Sequence, residues 1–448
     1  MKDKGSGSGN HRKLFHLLWW ESIFATAFDT WIHPTFLSGL AGELKIPLGI
    51  VSVIAAIPWI GATGQIVGAW AFERSHSVKV YVLGVASLGR ALWIFPLLLA
   101  AWWGYGSYFL RHPFPVIQWF IWLALSACCS SLLANASANA WMYWMRNLIP
   151  SRLQGRFFGT RQQFTTSAFL IGSVIAAYLV GWIPQGYRVG SALLGAFALI
   201  SGTISIFLHS RVRDFPILRS VEHSRRSLIK ILKEPVLDPD FREFLFFGAA
   251  FNGVIQLCGS YYPYYFTKEL HIPMSTIAFW IGITNLGSFC ASNYWGKKVD
   301  QSRNLPDILW TTGHVVAFTP LLYFFFNQKG LIQTIAPIEY FLSGLAWSGF
   351  ALAQTKLLFQ LSPPNEGATY FSVYAVVCGL SGAICTFLGG QIAQFFAPWG
   401  GFRVLWLLGS VARLGVLRAL CKPLIQNSSF SFAKLLKKDL LPLETDIL

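Results

Sequence analysis

Two short stretches decide the fold of this chain: Glu43-Leu44-Lys45-Ile46-Pro47 in the first half and Glu269-Leu270-His271-Ile272-Pro273 in the second. They differ at a single position and stand about 225 residues apart. Such a spacing in a chain of 448 residues places one copy in each half. The repetition therefore predicts two copies of one structural unit.

Other features recur at nearly the same offset. The recurring anchors, each given with its counterpart, are Gly68 and Gly296, Gly89-Arg90 and Gly313-His314, and Pro96-Leu97-Leu98 and Pro320-Leu321-Leu322. Several anchors at one offset are hard to obtain by chance. Large internal repeats of this kind are typical of membrane proteins that bind a solute between their two halves.

The composition indicates a membrane protein. Hydrophobic residues make up 54% of the chain and charged residues only 12%, whereas soluble domains carry roughly 25% charged residues. The apolar residues fall into blocks of about 20, the length at which a helix crosses the hydrocarbon core. The twelve predicted spans cover residues 14–40, 49–72, 80–102, 116–142, 162–184, 189–209, 243–266, 276–295, 307–326, 334–360, 369–396 and 402–421.

The positions of Lys and Arg predict the orientation. With the N-terminus inside, 27 of the 35 Lys and Arg residues lie on the cytoplasmic side. The same positions account for the formal net charge of +16, because the basic residues flank helix ends and face anionic lipid headgroups. Nucleic acid is therefore excluded as a partner, and membrane lipids are expected. Both termini are predicted to be cytoplasmic.

These spans give a fold class and a domain plan. The fold class is an all-α membrane protein with twelve transmembrane helices arranged as two pseudo-symmetric six-helix bundles. The predicted segments are an N-terminal tail at 1–13, a bundle at 14–209, a basic linker at 210–241, a second bundle at 242–421 and a C-terminal tail at 422–448.

Two short loops carry a family resemblance. Gly296-Lys297-Lys298-Val299-Asp300 with Arg303 follows the eighth span, and Gly68 with Glu73-Arg74 follows the second in a degenerate form. With the six-plus-six plan and the basic central linker, the chain resembles the major facilitator superfamily. The resemblance covers nearly the whole chain and identifies no subfamily.

That resemblance implies a gating role for the two loops, in which they favour an outward-open state. The physical reason is general: a carboxylate at a helix end can pair with basic residues and with the N-terminus of a neighbouring helix. The alternative is an ordinary solvated helix end. The candidate gating residues are Gly68, Glu73, Arg74, Gly296, Asp300 and Arg303.

Charged residues deep inside spans are the strongest functional pointers, because burying one without a partner costs several kcal/mol. Asp29 lies near the centre of the first span, Glu21 is shallower, and Arg90 lies halfway along the third. Asp29 and Arg90 are at compatible depths to pair. They are candidates for substrate or proton coupling, and a structural salt bridge between the first and third spans is the alternative.

Polar residues also lie deep in the second half. Asn252 and Gln256 stand one turn apart in the seventh span, and His314 occupies the position that matches Arg90. A histidine there could carry a proton, although buried histidines are more often packing residues. These three residues are further candidates for substrate or proton coupling.

The sequence predicts a function that involves no catalysed reaction. It contains no nucleotide-binding loop, catalytic set, cofactor motif or metal-ligand spacing, so it is not expected to be an enzyme. The prediction is a secondary active transporter that moves a small solute by alternating access, coupled to protons or sodium ions. It is expected to act as a monomer in the cytoplasmic membrane of a bacterium. The alternative is a non-transporting receptor or assembly factor on the same scaffold.

Overall fold

The structure is a computed structural model, and it describes most but not all of the chain. The described residues are 6–31, 61, 63–99, 102, 115–182, 186–214, 228–259, 261–262, 265–266, 269–302, 304–326, 328–364, 366–422 and 424. Of the two repeated stretches, 43–47 and 269–273, only the second lies within these ranges. Arg303 also lies outside them.

The described residues form helices and no β-strand. The helices of the first half, in chain order, are α1 (Ser6–Trp31), α2 (Val78–Ala91), α3 (Val116–Leu148), α4 (Gln154–Trp182) and α5 (Gly186–Ser210). Residues 63–72 are helical as well. A 3₁₀ turn, Ser151–Leu153, separates α3 from α4.

The second half continues this pattern. Its helices are α6 (Leu228–Leu237), α7 (Pro239–Gly259), α8 (Met274–Gln301), α9 (Leu305–Phe325), α10 (Lys329–Leu361), α11 (Gly367–Phe395) and α12 (Gly401–Val416). From α7 to α12, each helix number equals the number of the predicted span. A 3₁₀ turn, Ala397–Trp399, precedes α12, and a π-helical turn, Leu417–Cys421, follows it.

Six described helices are long and apolar enough to cross a membrane. They cover Val78–Leu99, Ile117–Leu148, Leu305–Phe325, Lys329–Leu361, Gly367–Phe395 and Gly401–Cys421. Many of their large apolar side chains are exposed, which suits contact with lipid. The prediction of an all-α membrane protein is therefore confirmed.

The chain divides into two compact units. One consists of Met1–Leu148 with Arg161–Arg226, and the other of Ile149–Thr160 with Ser227–Leu448. The short segment that carries the first turns of α4 thus packs within the second unit. The predicted linker at 210–241 contains the boundary at residue 226.

The same helix pairs recur inside the two units. In the first, α1 packs against α5, and α2 packs against α3 and α5. In the second, α7 packs against α12, and α9 packs against α10 and α12. Within each repeat, the first span packs against the sixth, and the third span packs against the fourth and the sixth. The packing thus reproduces the duplication that the sequence predicts.

Candidate coupling and gating sites

Arg90 joins three helices inside the first unit. It donates to the carbonyl of Gly202 and, at 3.1 Å, to Ser205 Oγ, both on α5. Its guanidinium carbon lies 5.3 Å from the ring centre of Phe28 on α1. A Cβ at Gly202 would lie 3.0 Å from both Arg90 Cδ and Phe28 Cδ2, so a glycine permits this close approach.

Glu21 and Asp29 lie about two turns apart on α1 and have different surroundings. Glu21 is 3% exposed, and its Oε1 accepts a 2.7 Å hydrogen bond from Ser205 Oγ. Asp29 is exposed, and the positive charges that act on it belong to Arg90 and Arg161. Arg90 directs its donors at α5, so it acts on Asp29 through space.

Arg161 completes the charges of this region. It lies on α4, and its guanidinium carbon stands 4.5 Å from the ring centre of Trp141 on α3. Its charge acts on both Glu21 and Asp29. We call Glu21, Asp29, Arg90 and Arg161 the four-charge set. Because it contains two carboxylates and two guanidinium groups, its formal charge is zero.

In the second unit, the structure brings Asn252 and Gln256 together against α11. A Cβ at Gly382 would lie 2.8 Å from Asn252 Nδ2 and 3.2 Å from Gln256 Cγ. Asn252 Nδ2 also donates to the Cys378 carbonyl at 2.6 Å. Both polar residues are half-buried.

His314 is engaged within its own helix. Its Nδ1 lies 2.7 Å from the Trp310 carbonyl, and the two rings are 4.3 Å apart between centroids. A buried cation that does join helices in the second unit is Arg413 on α12. Arg413 donates to the Val316 carbonyl on α9 at 2.9 Å and to the Ile255 carbonyl on α7 at 3.1 Å.

The Asp300 carboxylate lies at the N-terminus of α4. Its Oδ1 accepts from the backbone N–H of Gly155 and its Oδ2 from that of Arg156, each at 2.7 Å. Lys356 Nζ on α10 lies 2.9 Å from Oδ1, and both side chains are at most 8% exposed. An anion is favourable at this position because the first N–H groups of a helix have no partner within the helix.

Gly296 lets α8 approach the start of α4. A Cβ at Gly296 would lie 2.5 Å from the Gly155 carbonyl oxygen, and a Cβ at Gly155 would collide with the Gly296 carbonyl in return. Two glycines are therefore needed where the backbones cross. This crossing places Asp300, one turn beyond Gly296, over the N–H groups of α4.

The first-half copy of the gating loop has other contacts. A Cβ at Gly68 would collide with the backbone of Ala136 on α3, and the Gly68 carbonyl accepts a 2.8 Å hydrogen bond from Tyr81. Glu73 is buried. Arg74 donates to the Trp70 carbonyl and lies over the Trp70 ring at 3.9 Å. The remaining candidate, Arg303, lies outside the described residues.

Sequence reasoning gave no site role to several buried charged residues. His209 is the last residue of the sixth predicted span, Arg161 precedes the fifth, and Lys356 lies near the cytoplasmic end of the tenth. Each therefore resembled a basic residue that sets topology. Glu339 is 8% exposed and accepts a 2.8 Å hydrogen bond from the Tyr323 hydroxyl. A carboxylate inside an apolar span was the sequence signal that could have identified Glu339.

Among the residues that the structure describes, no three His, Cys, Asp or Glu side chains are grouped so that they could hold a metal ion.

Comparison with known proteins identifies the class to which this architecture belongs. The sequence profile described as "Major Facilitator Superfamily" matches residues 20–386. No curated protein matches the sequence.

Solved structures share the fold at low sequence identity. A bacterial homologue of the iron transporter ferroportin in an outward-facing state has a TM-score of 0.63 and 18% identity, covering 93% of this chain and 99% of that one. The proton:xylose symporter XylE has a TM-score of 0.63 and 11% identity, with coverage of 90% and 96%. The transporter FucP in its outward conformation has a TM-score of 0.66 and 13% identity, with coverage of 90% and 98%.

The architecture and the profile define a multi-pass integral membrane protein of a transport family. The chain belongs to the major facilitator superfamily. The predicted plan of twelve helices in two bundles is consistent with that membership.

Proposed function

We propose that this protein is a secondary active transporter, not an enzyme, that moves a small solute by alternating access and couples this movement to protons. The observation that carries the proposal is the four-charge set of Glu21, Asp29, Arg90 and Arg161 inside the first unit. A non-transporting scaffold gains little from such a set, because charged residues within membrane-spanning segments are costly.

The four-charge set provides what proton coupling requires. Asp29 is exposed, so a proton or a solute can reach its carboxylate, whereas Glu21 is enclosed and hydrogen-bonded. Protonation of either carboxylate leaves one guanidinium charge without compensation. Such a change can favour one conformation over another, which is the essential step in coupling. A sodium ion bound by Asp29 is the alternative coupling ion.

The contacts of Asp300 support a gate on the same protein. The Asp300 carboxylate on α8 binds the N-terminus of α4 and Lys356 on α10. These bonds hold α4, α8 and α10 together. In this proposal the bonds stabilise the state that is closed on the cytoplasmic side. They break when that side opens.

The solute class follows from the distribution of charge. A multivalent anion would require several free guanidinium groups, whereas Arg90 is engaged with α5 and Arg161 faces carboxylates. We therefore propose a neutral or amphiphilic small solute. XylE is a proton:xylose symporter and FucP a fucose:proton symporter, which is compatible with a neutral solute and proton coupling.

The proposal also includes the cellular setting. The Lys and Arg distribution supports cytoplasmic termini, and the protein is proposed to work as a monomer in the cytoplasmic membrane of a bacterium. Membrane lipids surround its apolar exposed surface.

Purified protein in proteoliposomes tests the proposal. A panel of radiolabelled neutral and amphiphilic solutes, including xylose and fucose, is screened for exchange against unlabelled solute and then for uptake driven by an inward pH gradient. We expect exchange of at least one solute, with pH-driven accumulation of the same solute. Binding without exchange would support a receptor, and exchange without pH-driven accumulation would contradict proton coupling.

A further inference from the structure

A continuous hydrogen-bonded chain runs from Arg90 to His209 in the first unit. Arg90 donates to Ser205 Oγ at 3.1 Å, and Ser205 Oγ donates to Glu21 Oε1 at 2.7 Å. The same carboxylate oxygen lies 3.1 Å from His209 Nδ1. Glu21 is 3% exposed and His209 6% exposed, so this contact is closed to bulk water.

The other ring nitrogen of His209 determines which tautomer is present. Trp141 Nε1 lies 2.9 Å from His209 Nε2. An indole N–H can only donate, so His209 Nε2 accepts and carries no proton. The ring proton is therefore on Nδ1 and points at Glu21. His209 is a neutral imidazole in this arrangement, held between a carboxylate on one side and an N–H donor on the other.

Charged groups face this pair from the neighbouring helices. From α1 comes Asp29, from α2 comes Arg90, and from α4 comes Arg161, whose guanidinium lies over the Trp141 ring. From α3, the Trp144 ring stacks on the His209 ring with centroids 5.5 Å apart. Glu21 Oε2 has no hydrogen-bond partner in the described part of the chain. The carboxylate therefore has an unused acceptor beside its contact with His209.

We propose that His209 delivers the coupling proton to Glu21. A proton from the cytoplasmic side binds Nε2, which breaks the hydrogen bond from Trp141. The Nδ1–H bond then breaks as an O–H bond forms at Glu21 Oε1. The result is a neutral Glu21 and a neutral His209 protonated on Nε2, so the charge and the proton are both accounted for.

This inference rests on the proposed function, since it gives the route of the coupling proton. It also explains how the proton acts on the four-charge set. Once Glu21 is neutral, three charges remain, and the two guanidinium groups face only Asp29. His209 lies in the last turn of α5, ahead of the basic linker, which is the position expected for exchange with the cytoplasm.

The tautomer can be read directly by nitrogen NMR on protein that carries ¹⁵N-labelled histidine in lipid bilayers. The signals of His209 are assigned among the nine histidines by their loss in His209→Gln. We expect a protonated Nδ1 and an unprotonated Nε2 at neutral pH. In Trp141→Phe, which keeps an aromatic ring but removes the donor, we expect Nδ1 to stay protonated, because the Glu21 carboxylate can only accept. A protonated Nε2 in the unaltered protein would overturn the inference.

Transport provides a second readout in proteoliposomes. His209→Gln should slow pH-driven uptake about tenfold or more, because a proton-transfer group is lost, and should leave solute exchange within about twofold. His16→Gln, at an exposed histidine on α1, is the matched control and should change neither rate. Driven uptake that is normal in His209→Gln would overturn this inference and leave the proposed function intact. If the unaltered protein shows no driven uptake, proton coupling and this route both fail.

Discussion

At the scale of single residues, the Asp300–Lys356 pair combines an ion pair with a helix cap. Both side chains are nearly enclosed, and Asp300 also accepts two backbone N–H groups of α4. Removing one partner of a buried ion pair costs about 3–5 kcal/mol, because the other charge stays buried without compensation. Asp300 therefore has a large effect on the state in which these bonds are made.

We expect Asp300→Asn to destabilise the closed cytoplasmic side by about 3–5 kcal/mol and to slow transport. The amide keeps one acceptor oxygen but removes the charge that compensates Lys356. Spin labels at the cytoplasmic ends of the two halves measure the populations of the states. Unchanged distances together with unchanged transport would show that Asp300 is an ordinary helix end.

Lys356→Met provides the matched comparison. It removes the buried cation and keeps most of the side-chain volume, while Asp300 still caps α4. We expect Asp300→Asn in the Lys356→Met background to cost about 1–3 kcal/mol less than in the unaltered protein. If the free-energy effects of the two substitutions were additive, Asp300 and Lys356 would not interact energetically, which would contradict the ion pair.

Arg90 is expected to be needed for folding. Arg90→Ala removes the donors to Gly202 and Ser205 and leaves the carboxylates of the four-charge set with only one compensating guanidinium. We expect a loss of about 2–5 kcal/mol in stability, measured by thermal unfolding of the solubilised protein. Arg211→Ala, at an exposed arginine of the same unit, should change stability by less than about 0.5 kcal/mol. Equal losses in both variants would contradict a special role for Arg90.

The residue types were predictable from sequence, but their partners were not. A charge inside an apolar span is visible without a structure, so Asp29, Glu21 and Arg90 could be named as candidates. The Arg90 contact with Ser205 and the Asp300 contact with Lys356 join helices that are distant in sequence, and helical spacing does not say which faces meet. His209 was missed because a basic residue at a helix end normally sets topology.

At the scale of elements, a proline explains why Arg413 points at α9. Pro320 has no N–H, so the Val316 carbonyl four residues earlier loses its partner within the helix. Arg413 Nη1 donates to that carbonyl at 2.9 Å, and Thr319 Oγ donates to it as well. The repeated unit thus keeps an arginine between its third and sixth spans. The arginine lies on the third span in the first copy (Arg90) and on the sixth in the second.

This reading predicts coupling between Pro320 and Arg413. Arg413→Met should destabilise the protein by about 2–4 kcal/mol, because buried carbonyls lose their donor. In a Pro320→Ala background the helix supplies its own N–H to Val316, so the same substitution should cost about 1 kcal/mol less. Thermal unfolding of the four proteins of this cycle measures the difference. An identical cost in both backgrounds would show that Arg413 acts independently of Pro320.

Helices were easier to predict than helix contacts. Apolar spans follow from local composition, so the helices of the second half appear close to their predicted ranges. Some helices extend past the apolar blocks; α3 of the first half, for example, continues to Leu148 beyond the predicted end at 142. Polar residues at those ends cannot be distinguished from loop residues by hydropathy alone.

At the scale of the whole molecule, topology is the most direct prediction. Both termini and the linker at 210–241 are expected on the cytoplasmic side, because Lys and Arg are concentrated there. In intact cells, a membrane-impermeant thiol reagent should label a cysteine introduced at Ser107 but not one introduced at Ser224. The reverse pattern would contradict the orientation.

A role of the Asp29 carboxylate in proton coupling is the central proposal for the whole molecule, and Asp29→Asn tests it most directly. In the same proteoliposomes, pH-driven uptake and solute exchange are measured for the unaltered protein and for this variant. We expect driven uptake to be lost and exchange to be retained, because exchange requires no net movement of protons. Full pH-driven uptake by Asp29→Asn would contradict a coupling role for this carboxylate.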